Sequence, residues 1–400
     1  MSNLQSRIQE GLNRIDPWLD ACFPVATALI CAKQRLMAYS LLTAWILIRL
    51  VQGSDKQNWR WIFVTLALLN AGLIICDRDL KPGGASDYLI IALSFTAGFQ
   101  RSQSHWKRSL AWIGSCALPL LIACLSAGEN LIQLNSSFTG FNINRVGYLS
   151  ALLTIVNYSL FRNASSLRPK VAYAVLLTAS TTATFLTESR AAIAVPAIAI
   201  AIDLAAGIRL SKTARVAAFI AAISLMLTSF HQWYTNPAGP ATLMADSNRI
   251  ATIECWVKRT TRTTQSTILG LGYGKTAQFS CGPEQVDAIK GRNTPLAHSH
   301  NVYVQLFAET GLVGLMAGVA LAAKALMKSL ALCKSPSLEF TRPFLIFLFL
   351  MALGTTWQSM LLNQVLIGYC LSALSAKVPE KGDEVATTPE QQPLATAPPG

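Results

Sequence analysis

Charge is what this 400-residue chain has least of. Asp, Glu, Lys and Arg make up 13% of it, about half the share found in ordinary soluble domains. Acidic residues are the scarcest, 20 against 33 basic, and there are only four histidines. So few solvated side chains cannot cover a soluble protein of this size, and a 52% hydrophobic composition with positive mean hydropathy points the same way. The nine cysteines show no metal-ligand spacing, which argues against a structural zinc site. No clear repeat relates the two halves, which counts against a duplicated transporter. The first apolar run lacks a small-residue cleavage pattern, so no cleavable signal peptide is expected.

In place of charge there are apolar runs. They approach the roughly 20 residues that a helix needs to cross a bilayer, and they fall near 16–32, 36–52, 60–76, 87–100, 110–127, 145–161, 170–187, 190–208, 214–230, 302–323, 343–361 and 363–376. The expected fold is therefore an all-α integral membrane protein with about twelve transmembrane helices. Lys and Arg collect after every second run: Lys56 and Arg60; Arg101, Lys107 and Arg108; Arg162, Arg168 and Lys170; Arg209, Lys212 and Arg215; Lys324, Lys328, Lys334 and Arg342. The positive-inside rule then puts those loops and both termini in the cytoplasm. On that topology much of the +13 net charge serves orientation, and no nucleic-acid partner is expected. Trp59, Trp61, Trp106, Trp112 and Trp233 fall near span ends, where an aromatic belt belongs.

The organisation that follows is nine spans over 1–230, an outward helical loop subdomain over 231–301, three spans over 302–376 and a disordered tail over 377–400 rich in Pro, Thr and Glu. The loop holds three of the four histidines and ends in His298-Ser299-His300-Asn301, directly before an apolar helix. Cys255 and Cys281 both lie in it and could pair in an oxidising compartment. The remaining cysteines lie mostly within spans, where cysteine is a small hydrophobe.

Four segments carry a recognisable pattern. The stretch His298–Leu315 reads HSHNVYVQLFAETGLVGL, with nine residues between Asn301 and Gly311. Before it come Thr187-Glu188-Ser189-Arg190-Ala191 between two spans, Asn248-Arg249-Ile250 followed by Trp256, and the Gly-rich Leu269–Gly274. In this order they resemble the O-antigen ligase and polymerase superfamily, which includes bacterial protein O-oligosaccharyltransferases. The resemblance implies glycosyl transfer from a polyprenyl-diphosphate-linked glycan at the periplasmic face of a Gram-negative inner membrane. It implies lipid A–core as the acceptor if the chain is a ligase, and a second lipid-linked glycan if it is a polymerase. Chain length and the large loop between the ninth and tenth spans look more like the ligase.

The implied reaction displaces a diphosphate from an anomeric carbon by a sugar hydroxyl. It needs a base for the hydroxyl proton and positive charge for the departing diphosphate, roles that suit histidine and arginine. His300 is the candidate base. At the positive end of a helix it would resist protonation, which suits a base, although a histidine there can equally hydrogen-bond the loop alone. His298 is its substitute or orienting partner, and Asn301 either orients the base or caps the helix. Arg190, between two apolar runs, and Arg249, at the start of the loop, are the candidate diphosphate clamps. The alternatives are a headgroup-snorkelling Arg190 and a solvated Arg249. Lys81 and Arg145 stand at outward span ends and could touch the lipid diphosphate. Glu309 could pair with an arginine, accept a proton or face water. Gly311 and Gly314 point to close helix packing rather than substrate contact.

Two other patterns carry less. Gly270–Thr276 resembles a phosphate-binding loop, but its first glycine is one residue too close and it faces away from cytoplasmic nucleotide. Asp77-Arg78-Asp79 resembles a metal-binding Asp-x-Asp. The family resemblance instead implies arginines in the metal's place, so neither a cofactor, a metal nor a nucleotide is expected. A transporter of lipid-linked glycans is the rival from another class. It would make intramembrane charges essential and His300 dispensable.

Overall fold

The computed structural model describes residues 15–52, 82–99, 101–128, 144–187, 189–207, 252–272, 284–287, 292–295, 301–331, 340–354 and 361–373. Their architecture is helical. In chain order the helices are α1 (Cys22–Cys31), α2 (Arg35–Gln52), α3 (Pro82–Gly98), α4 (Gln103–Ser115), α5 (Ala117–Ala127), α6 (Asn144–Asn163), α7 (Leu167–Leu186), α8 (Arg190–Gly207), α9 (252–260) and α10 (Thr264–Leu269). After them come α11 (Val302–Ala331), α12 (Thr341–Gly354) and α13 (Leu361–Ser372). The expected spans near 60–76 and 214–230 lie outside the described residues, and helices occupy the other ten segments. Among the described residues, two helices are long and apolar enough to cross a membrane: the α4–α5 unit over His105–Ala127, and α11 over Val302–Ala320.

The loop departs from the expected all-α character. Glu284–Asp287 (β1) and Arg292–Pro295 (β2) pair antiparallel, with Gln285 opposite Thr294 and Val286 opposite Asn293. The polar flanks of Val286 leave no helical stripe to bury, which favours a strand there.

Helix directions follow from which residues lie level. Asp20 meets Ser109 and Thr27 meets Cys116, so α1 runs parallel to α4–α5. Asn157 meets Leu176, and Gly147 lies against Thr187, so α6 and α7 are antiparallel. Gly147 also lies against Ala192, and Tyr158 meets Asp203, which makes α6 and α8 parallel. α12 starts beside the end of α8, where Arg342 reaches Asp203. On α7 the buried residues are Ala179, Ser180, Ala183 and Thr184, whereas Leu167, Val171 and Val175 are exposed. α5 therefore packs along the second half of α7, and α4 begins at the end where α6 and α8 finish.

Polarity inside the bundle is handled locally. The hydroxyls of Ser150, Thr154, Ser159 and Thr184 donate to carbonyls three or four residues back, at 2.8–3.0 Å. That satisfies each hydroxyl within its own helix, so small polar residues can sit at close helix contacts. Asn157 instead ties helices together. Its amide donates to the carbonyls of Gly114 and Leu176 at 3.2 Å each. Gly114 is required there, because a Cβ would collide with the Asn157 side chain. Outside, the apolar residues are exposed: Leu118, Ile122 and Leu125 on α5, and Leu312, Met316 and Val319 on α11. They recur at three- and four-residue spacing, which lines each set along one helix face.

Asp203 of α8 is fully buried, with 0% of its side chain exposed. Tyr158 of α6 donates to it at 2.8 Å, and Arg162 of α6 and Arg342 of α12 form ion pairs with its two oxygens. Removing one partner from a buried ionic cluster leaves the rest uncompensated and costs about 3–5 kcal/mol. Asp203→Ala is expected to destabilise the bundle by that amount, while Asp203→Ala combined with Arg342→Met recovers part of it. Thermal unfolding in detergent, read by circular dichroism across the double-mutant cycle, measures both.

Candidate functional site

The segment 268–272 is fixed to α11 by backbone. Leu271 and Gly272 donate their amides to the carbonyls of Ala308 and Glu309 on α11, at 2.7 and 3.1 Å. The approach is close enough that only glycine fits on both sides. A Cβ on Gly270 would collide with the backbone of Glu309 and Thr310, and one on Gly311 with the backbone of Ile268. Both glycines also have positive φ, 82° and 66°, which L side chains adopt at a cost. Gly311 marks a kink inside α11. Gly314 differs, since a Cβ there would meet Thr310 of its own helix.

Helix α9 completes this contact. Trp256 is fully buried against Ala308, with Cys255, Leu271 and Val304 around it. The Arg259 guanidinium lies 6.0 Å from the Trp256 ring centre, on its face. α10 is started by a capping box, in which Thr263 and Ser266 satisfy each other's backbone amides. Cys255 is disulfide-bonded, and its expected partner Cys281 lies outside the described residues. The free cysteines among the described residues, Cys22, Cys31, Cys116, Cys124 and Cys370, all belong to the helix bundle or the α4–α5 junction.

Asn301 caps α11. Its Oδ1 accepts from the amides of Tyr303 and Val304 at 2.9 and 3.1 Å. One and two turns on, Gln305 and Glu309 follow it on the same face, and both are buried. Gln305 donates to the Glu309 carboxylate at 3.2 Å. The carboxylate thus faces neither solvent nor lipid, and the water-facing alternative for Glu309 is excluded. The first turn of α11 leans on α12, where the Tyr303 hydroxyl donates to the Phe349 carbonyl at 3.4 Å and the two rings lie 5.8 Å apart.

Of the expected site residues, Asn301 is described in full. Arg190 is the first residue of α8 and Arg145 the second of α6; the structure describes their backbone. Those helix starts converge, because Gly147 packs against Thr187, Ser189 and Ala192, the residues that bracket Arg190. Lys81, Arg249, His298 and His300 lie outside the described residues. No group of acidic, histidine or cysteine side chains suited to a metal ion occurs among the described residues.

The sequence reading passed over the acidic residues of the bundle. Asp20, 4% exposed at its side chain, accepts from Trp45 at 2.9 Å and Arg49 at 2.6 Å, and from the Ser109 hydroxyl. Asp16 forms the second ion pair to Arg49. His105 Nε2 shares a hydrogen bond with the Tyr369 hydroxyl at 2.8 Å. Ser109, His105 and Asp16 even fall in hydroxyl–imidazole–carboxylate order, at 3.3 and 3.7 Å. Ser109 is fully buried and gives its proton to Asp20, so the group is a structural network and not a nucleophile. Asp16, Asp20 and Asp203 inside apolar runs were the signal available in the sequence.

Compared with known proteins, the chain matches no family model and no curated protein.

Gly270→Ala and Gly311→Ala are each expected to lift the loop off α11, because both Cβ atoms would meet backbone that cannot yield. Asn301→Ala removes one cap and costs about 1 kcal/mol, leaving the docking intact. Limited proteolysis across residues 262–272 separates the two effects: rapid cleavage in the glycine variants and unchanged cleavage in Asn301→Ala.

Proposed function

We propose that this chain is an O-antigen ligase, transferring a polyprenyl-diphosphate-linked glycan to a sugar hydroxyl of lipid A–core during lipopolysaccharide assembly. One observation carries the reading. The Gly-rich turn and the His-Asn…Gly helix, two segments that resemble the family's, meet through Gly270 and Gly311 as backbone against backbone. In support, the helix starts bearing Arg145 and Arg190 converge. The apolar exterior of α5, α7 and α11 suits a lipid environment, since lipid tails solvate such stripes and water does not. The Cys255 disulfide suits an oxidising compartment, hence a loop that faces the periplasm of a Gram-negative inner membrane. About twelve spans with both termini cytoplasmic complete the proposed topology.

In this reading the donor enters sideways between helices, with its diphosphate against Arg190 and Arg249 and within reach of Lys81 and Arg145. His300 takes the proton of the acceptor hydroxyl, with His298 and Asn301 beside it. The oxygen attacks the anomeric carbon as the bond to the diphosphate breaks, and the arginines take up the negative charge that leaves. A single displacement inverts the anomeric carbon. The energy comes from the diphosphate bond, so neither nucleotide nor metal enters.

A polymerase would use the same residues and differ in acceptor. The test is transfer by the purified full chain in nanodiscs, given polyprenyl-diphosphate glycan, lipid A–core and EDTA without nucleotide. Glycan on lipid A–core with inverted linkage, falling about 10²–10⁴-fold in His300→Ala, is the expected result. Lengthened polyprenyl glycan would move the protein to the polymerase. Absence of both products from a folded sample, or retained stereochemistry, would sink the reading.

A further inference from the structure

Two clusters of buried charge lie at one end of the helix bundle. The first joins Asp16 and Asp20, ahead of α1, to Arg49 in the last turn of α2, to His105 and Ser109 at the start of α4, and to Tyr369 near the end of α13. Arg101, just after α3, adds a hydrogen bond of 3.2 Å to the Arg49 carbonyl. The second joins Tyr158 and Arg162 at the end of α6, Asp203 at the end of α8 and Arg342 at the start of α12. Since α4 begins where α6 and α8 end, both clusters close the same end.

The closure is tight. Arg49 is fully buried and the Asp203 side chain is too, while Trp45, Trp106 and Phe23 pack their rings around Tyr369 with centroids 4.7–5.8 Å apart. Parting these helices would strip each carboxylate of its cations. A transporter that alternates its access must part the helices at each end in turn. A membrane enzyme that works on one face need not.

We infer that the two clusters are permanent staples, so that the helices they join do not part while the protein handles its substrate. The inference does not rest on the ligase reading, because it concerns which helices move and not the reaction. It also assigns the buried arginines a closing role and not a translocating one.

The experiment uses the full-length protein in sealed vesicles. Ser109→Cys places a thiol inside the first cluster and Tyr158→Cys one inside the second, with Arg108→Cys, half exposed beside the first cluster, as the delivery control. A membrane-impermeant thiol reagent is applied from each side in turn, with and without polyprenyl diphosphate and with and without a membrane potential. Labelling is read by mass spectrometry at each introduced position, so native cysteines do not interfere. Labelling of both buried positions roughly 10²–10³-fold slower than the control under every condition is expected, the factor set by the cost of breaking a buried ionic cluster. Faster labelling of either position once lipid or potential is applied would overturn the inference. Hydrogen exchange on the unmodified protein guards against misfolded variants. Backbone amides over 105–110, 158–162 and 200–203 must stay equally protected with and without polyprenyl diphosphate, and faster exchange with the lipid would overturn it as well.

Discussion

A carboxylate removed from water must find its cation inside the fold, and in this chain that requirement fixes where the helices end. Asp203 takes Arg162 and Arg342, while Asp16 and Asp20 take Arg49. The partners come from helices far apart in sequence, so each ion pair specifies a neighbour and a level along the bundle at once. Apolar packing alone would leave both undetermined, because one lipid-compatible helix resembles another. The few charges therefore carry much of the information that makes the bundle unique. The scarcity of acidic residues is part of the same design, since each added buried carboxylate would demand another cation.

Above that frame the loop is held by a different principle. Its attachment to α11 uses main-chain amides and the absence of side chains, with Trp256 as the single large apolar plug. Main-chain contact of this kind places the loop to within a hydrogen-bond length of α11. The bundle supplies rigidity, and the glycine contact transmits it to the loop.

Much of this was legible in the sequence, and the reasons for the failures are specific. The apolar runs predicted helices at the right places wherever the structure describes them. Boundaries slipped where polar residues extended a helix, as in α4, which starts at Gln103 and not at 110. The capping role of Asn301 was one of two open readings, and the structure shows the cap. The helix-packing role read for Gly311 was sound in kind, but its partner Gly270 could not be found from spacing, because the two meet only through the tertiary fold. The strand pair Glu284–Asp287 and Arg292–Pro295 escaped because four-residue strands leave too little periodicity. Asp20 and Asp203 carried a signal in the sequence too, since an acidic residue inside an apolar run is rare, but spacing alone does not name the cations that meet them. Glu309 was noticed, and its burial beside Gln305 settles that it does not face water.

The contact between Gly270 and Gly311 also constrains how the chain can drift over evolutionary time. Where two side chains touch, a larger residue on one side can be offset by a smaller one on the other, and a lineage can wander through compensated pairs. Here each Cβ would strike backbone, and backbone has no smaller version. No second change rescues the first. The two glycines thus form a locked position in sequence space, fixed independently of how the surrounding residues change.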